Sequence, residues 1–137
     1  MKVYTPRFYE DFRCTAAACG DNCCIGWEID IDPDAQRLYA GIPGALGERL
    51  RAGMVPDEAG AHFALDRRGR CALLDEDNLC ALQKALGPGA LCEICREHPR
   101  FTEWFGAFRE TGVGLCCEEA CRLLLTDPAP LTFRTSE

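Results

Sequence analysis

Short helical stretches set off by proline and glycine, two glycine-centred hairpins and eleven cysteines in 137 residues together predict the fold class. That class is mainly α with small β-hairpins, a compact Cys-rich, metal-stabilised single domain over residues 1–137. The length suffices for one core without help. A cysteine count this far above ordinary usage marks small domains held by disulfides or metals. Because the count is odd, disulfides alone leave at least one thiol unpaired.

The elements follow in order. Residues 1–12 carry Val3, Tyr4, Phe8, Tyr9 and Phe12 and read as an extended lead-in packed on the core. Residues 15–24 mix alanines with cysteines and suit a short helix that Gly20 interrupts. Trp27, Ile29 and Ile31 alternate with Glu28, Asp30 and Asp32, the period of a half-buried strand. Asp32-Pro33-Asp34 opens a helix with an acidic cap and proline at its first position, and Leu38 and Tyr39 give it a buried face. A second helix is expected over residues 44–54, with Leu46 and Leu50 four apart. Residues 62–74 predict a hairpin, HFALD and RCALL around Arg67-Arg68-Gly69. Asn78 caps a helix through Leu86 that Gly87-Pro88-Gly89 ends. Residues 90–97 form another short helix, stopped by Pro99. Residues 101–115 read as a second hairpin, and residues 118–126 as a last helix ending at Asp127-Pro128.

A formal net charge of −7, with scattered carboxylates, argues against nucleic acid as a partner, because phosphate needs a positive patch. The one basic cluster, Arg67, Arg68 and Arg70, surrounds a glycine and reads as a solvated turn. No stretch approaches the roughly 18 apolar residues of a membrane span, so no membrane is expected as a partner. The opening MKVYTPRFYEDF has no apolar run of the kind a secretory signal needs. The expected location is the reducing cytoplasm, where thiols persist and bind soft metals.

The thiols fall as Cys14, Cys19, Cys23-Cys24, Cys71, Cys80, Cys92-x2-Cys95, Cys116-Cys117 and Cys121. On a helix, Cys19 and Cys23 would point one way and share a centre, with Cys24 turned aside. Cys71, Cys80 and Cys95 sit on separate predicted elements, which a shared metal would staple together. All-sulfur ligation suits zinc and iron–sulfur clusters alike. Cys92, Cys116 and Cys121 have weaker claims and fit the core. His62 and His98 read as a strand and a turn residue, Glu110 as a strand residue, and Arg100 as a partner of a structural carboxylate. No dinucleotide fingerprint or P-loop occurs.

Five segments resemble the N-terminal part of the flagellin lysine-N-methylase family: PRFYEDFRC, CGDNCCIGWEIDID, GRCALLDEDNLCALQKALG, CREHPR and LCCEEACRL. The cysteine core is also similar to the CxxCxxCC type of zinc- or iron-chelating proteins. The resemblance implies methyl transfer from S-adenosylmethionine to lysine side chains of flagellin, with a [4Fe-4S] cluster. It places the metal ligands on Cys14, Cys19, Cys23, Cys24, Cys71, Cys80, Cys95 and Cys117, with Cys19, Cys23, Cys80 and Cys95 ranked first. Two positions depart from the family pattern: Glu118 stands where a proline is usual, and His98 where a tyrosine precedes Pro99. Family members are also expected to be much longer than this chain. A non-enzymatic zinc- or iron-binding module, used in metal handling or as an adaptor to a partner subunit, is the alternative. A thiol redox protein ranks last, for no lone C-x-x-C opens a long helix in a thioredoxin-like context.

Overall fold

In chain order, the computed structural model of residues 1–137 contains β1 (Lys2–Pro6), α1 (Pro33–Gly41), α2 (Gly44–Gly53), β2 (Met54–Asp57), β3 (Gly60–Phe63), α3 (Ala81–Leu86), α4 (Glu93–Glu97), β4 (Arg100–Trp104), β5 (Phe108–Val113), α5 (Glu118–Thr126) and β6 (Phe133–Ser136). Short 3-10 turns lie at Arg7–Asp11, Ala16–Ala18 and Pro88–Ala90. The chain divides into two units, residues 1–21 with 97–137, and residues 22–96.

The first unit is built on a four-stranded mixed sheet in the order β4-β5-β1-β6. β1 runs parallel to β5, with Val3 opposite Arg109, and antiparallel to β6, with Tyr4 opposite Thr135. β4 and β5 form an antiparallel hairpin in which Thr102 faces Thr111, as the 101–115 pattern predicts. Phe12, Val113 and Ala120 are buried together, and Phe8, Tyr9, Cys117 and Leu123 pack around them. The Arg100 guanidinium, expected to pair with a carboxylate, lies over the Phe12 and Tyr9 rings at 5.2 and 5.7 Å instead.

The second unit begins from the cap that the sequence announces. The Asp32 carboxylate accepts from the Ala35 amide at 3.0 Å, with Pro33 in the first turn of α1. Tyr39 is fully buried on this helix, whereas Leu38, expected beside it, is 46% exposed. Gly47 is required where α2 meets the end of α1, since a Cβ there would sit 1.7 Å from the Ile42 carbonyl oxygen. Ile29, Ile31, Tyr39, Leu50, Phe63, Leu73 and Leu82 close an apolar core. The Tyr39 hydroxyl, buried with them, donates to the Ala90 carbonyl at 2.9 Å.

Several expectations are corrected here. The fold is mixed α/β rather than mainly α, because a sheet organises the first unit and all its helices are short. The compact metal-stabilised frame is replaced by apolar packing: no three His, Cys, Asp or Glu side chains are arranged as a set that could hold an ion. The 62–74 hairpin does not form as such. β3 pairs with the preceding β2, Val55 opposite His62, while one bridge, Leu65 to Cys71, closes the Arg67-Arg68-Gly69 turn. The Trp27–Asp32 strand reduces to a single bridge between Asp30 and His62, although Ile29 and Ile31 are buried as their alternation requires. Asn78 does not cap α3. Cys80 occupies that position, and Asn78 takes a left-handed backbone, φ 60°.

Candidate functional site

Six of the eleven cysteines lie in the second unit, and its fold brings them from four separate chain segments into one neighbourhood. Cys23 and Cys24 sit in the turn after Asn22, whose side-chain oxygen accepts from the Cys24 amide at 2.9 Å. The Trp27 indole donates to the Cys23 carbonyl at 2.7 Å, so the tryptophan clamps this turn. The Cys71 amide donates to the Cys24 carbonyl at 2.8 Å, which ties the second segment to the first. Cys80, bridged to Leu74, caps α3. Cys92 precedes α4, Cys95 lies on it, and the Glu93 amide donates to Asp32 at 2.7 Å, fixing α4 against the start of α1. Cys71 and Cys92 are buried, and Cys24, Cys80 and Cys95 pack on the same core.

The thiols feel one another. Cys24 is pushed well above the usual thiol range, first by its hydrogen bond with Cys23, then by burial and the nearby Cys80 and Cys71. Cys95 is pushed up by its hydrogen bond with Cys92, by burial, and by Cys24 and Cys80. Its thiol in turn holds Cys92 down, to about 7. The Cys92–Cys95 pair therefore yields its first proton readily and its second reluctantly. Burial raises Cys71, with Cys80 and Cys92 adding to it and Arg49 opposing. Burial, then Cys92 and Cys95, raise the Tyr39 phenol. Cys80 acts on Cys24, Cys71 and Cys95, and Cys92 acts on Cys71, Cys95 and Tyr39, so these two link the web together.

Of the eight positions singled out by sequence, the second unit unites Cys23, Cys24, Cys71, Cys80 and Cys95. Cys14, Cys19 and Cys117 belong to the first unit. The Cys14 sulfur accepts from the Ala16 amide at 3.4 Å, and Cys117 packs beside the Phe12 core at the start of α5. Cys19 donates to the Glu118 carboxylate at 3.5 Å, while the Gly20 and Asp21 amides bind the same carboxylate. Burial raises the Cys19 thiol, and Glu118 raises it further. The expected helical pairing of Cys19 with Cys23 is absent, since the backbone at Cys19 is extended. Cys92, which sequence reasoning assigned to the core, is 1% exposed and hydrogen-bonded to Cys95. Its C-x2-C spacing was the available signal.

These donors match all-sulfur ligation in kind, although the side chains do not close into a coordination shell. Relieving the mutual repulsion of several thiolates is what a bound cation does. No helix is long and apolar enough to cross a membrane.

No family model and no solved structure matches the chain. Among curated proteins, the flagellar biosynthetic protein FliU of Salmonella muenchen is 30% identical over 93% of this chain and 79% of its own length. The lysine-N-methylases of Salmonella choleraesuis and Salmonella typhimurium are each 30% identical over the same share of the chain. The match spans only 33% of each methylase, so this chain is similar to about a third of those proteins. With most of both chains aligned in the first comparison, the chain belongs to the family of flagellar biosynthetic protein FliU.

Proposed function

We propose that the chain is the thiol-rich part of a protein-lysine methylating system acting on a flagellar protein, with a metal centre held by cysteines of the second unit. The observation that carries this reading is the convergence of six thiols from four segments, in a relative of proteins named lysine-N-methylase. The group would draw its ligands from these six thiols, Cys24, Cys71, Cys80 and Cys95 foremost, whose side chains would have to turn inward to close around it. An iron–sulfur cluster, such as [4Fe-4S], or zinc would supply Lewis-acid or electron-transfer chemistry there when bound. The chain's own residues would position it. The Asn22 side chain and the Trp27 indole fix the Cys23-Cys24 turn, and the Asp32 carboxylate fixes the backbone at Glu93. The Arg49 charge favours the Cys71 thiolate. The methyl donor in this reading is S-adenosylmethionine, and the acceptor is a lysine side chain of flagellin.

The test is anaerobic purification followed by iron, sulfide and zinc analysis, and by methyl transfer from labelled S-adenosylmethionine to flagellin. Iron with matching sulfide, lost in Cys24→Ser and Cys80→Ser but kept in Cys121→Ser, is the expected result, together with lysine labelling. Stoichiometric zinc without labelling would replace this reading by that of a non-enzymatic binding module. Protein that takes up neither metal overturns both.

A further inference from the structure

Beside the thiols, the second unit carries a surface hollow of ≈ 620 Å³ lined by Arg49, Arg68, Arg70, Leu74, Asp75, Glu76 and Asn78. Its size lies within the about 300–1,000 Å³ of small-molecule clefts. Three arginines converging in a chain of net charge −7 need an explanation, because none of the three is ion-paired with a carboxylate. The Arg49 guanidinium donates to the Ala72 and Leu74 carbonyls at 2.8 and 3.0 Å. The Arg70 guanidinium donates to the Asn78 side-chain oxygen at 2.7 Å and to the Asp75 carbonyl at 2.8 Å. Neutral acceptors thus hold both guanidinium groups in place, with the Asp66 carboxylate near Arg70 but not ion-paired to it, and each keeps further N–H donors. The turn that carries Arg68 and Arg70 is itself fixed, since the Asp66 carboxylate accepts from both of their amides at 2.7 and 3.0 Å. The Arg68 guanidinium makes no side-chain hydrogen bond, although the Asp66 carboxylate lies near enough to feel its charge.

The two acids of the lining differ. Asp75 is occupied: its carboxylate binds the Lys84 ammonium at 2.6 Å and accepts from the Asp77 and Leu79 amides. Glu76 is exposed and makes no ion pair. The hollow therefore offers preset positive donors together with one unengaged carboxylate. A simple anion would be drawn by the arginines and repelled by Glu76. A zwitterion satisfies both signs at once, its carboxylate on the guanidinium donors and its ammonium on Glu76. The wall of the hollow also leads to the thiols, because Leu74 is bridged to Cys80.

The geometry points to a binding site for an α-amino-acid headgroup, with Arg49, Arg68 and Arg70 taking the carboxylate and Glu76 the ammonium. Identifying its owner as the methyl donor rests on the proposed function, because S-adenosylmethionine carries such a headgroup. The site itself does not depend on that reading.

Chemical-shift titration of the intact chain with methionine, S-adenosylhomocysteine, adenosine and inorganic phosphate tests it. Methionine and S-adenosylhomocysteine are expected to shift the amides of residues 66–78, and adenosine to leave them unmoved. Arg68→Gln and Glu76→Gln should each weaken methionine binding about tenfold, the loss of one charge-assisted contact. Neither variant removes a side-chain hydrogen bond of the fold, so their amide spectra should otherwise match the parent. Binding of methionine without S-adenosylhomocysteine would keep the headgroup site and refute the donor assignment. Phosphate competing as well as methionine, or no response to methionine, would overturn the site.

Discussion

Asp32 shows how much one side chain can organise. One carboxylate oxygen caps α1 through the Ala35 amide and the other accepts from the Glu93 amide at the start of α4. These bonds to the charged form, that from Glu93 most of all, hold its carboxyl below the usual range. Because the folded-state value is depressed, Asp32 stabilises the fold above its unfolded value of about 3.9 and ceases to as pH falls through the lower folded value. Asp32→Ala should cost about 2 kcal/mol at neutral pH by chemical denaturation, a lost cap plus a second unsatisfied amide. The variant should also flatten the acid limb of the stability profile. This cap was legible, as the Asp-Pro-Asp string states it locally. The neighbourhood of Cys19 was not. Its run of alanines favours a helix, but nucleating one is costly, and Glu118, distant in sequence, binds the Gly20 and Asp21 amides and holds the segment in a loop. Cys92 is buried as a core residue, as expected, but its hydrogen bond with Cys95 could not be read, because a single C-x2-C does not say whether its two thiols meet.

The β2–β3 hairpin illustrates the same point for an element. His62 lies on β3 opposite Val55, and its ring bonds Asp57 near the turn. Asp57 chiefly, then Glu28, raises the imidazole above its ordinary value, and the same bond lowers Asp57. A raised histidine stabilises fully below its unfolded value of about 6.5, and that contribution is lost as pH climbs through the folded value. The depressed Asp57 sets the opposite limb, lost as pH falls through its folded value. Amide exchange in residues 54–63 should therefore speed up on going from pH 6 to above about pH 8, beyond the chemical rise in exchange rate. Asp57→Asn should remove that excess, and an unchanged excess would disprove the coupling. The segment HFALD was recognisably a strand. Its partner was misassigned because the Arg67-Arg68-Gly69 turn signal is real, yet the ladder continues on the other side, from β2. The α5 helix and the β4–β5 hairpin, both closed by local patterns, matched their expected ranges closely.

At the level of the whole molecule, the illegible part is the sheet. β1 pairs in parallel with β5 and antiparallel with β6, and neither contact has a local sequence signature. Only the extended character of the opening residues hinted at it, which is why a mainly α frame was expected. The thiol count, by contrast, pointed correctly to cysteines that meet, while their division between two units could not be read from spacing. Removing residues 133–137 should uncover one edge of β1 and speed exchange of its amides, leaving protection at Tyr39, Leu50 and Leu82 close to that of the parent. Equal loss in both sets would show that the units do not open separately. The nesting of residues 22–96 between the two halves of the other unit also sets an order of events on the ribosome. The inner unit is complete in the nascent chain while β1 still waits for both of its neighbours, which are translated a few seconds later at ordinary elongation rates. During that interval β1 is an unpaired strand on a ribosome-bound chain, open to capture by a chaperone or by another nascent copy.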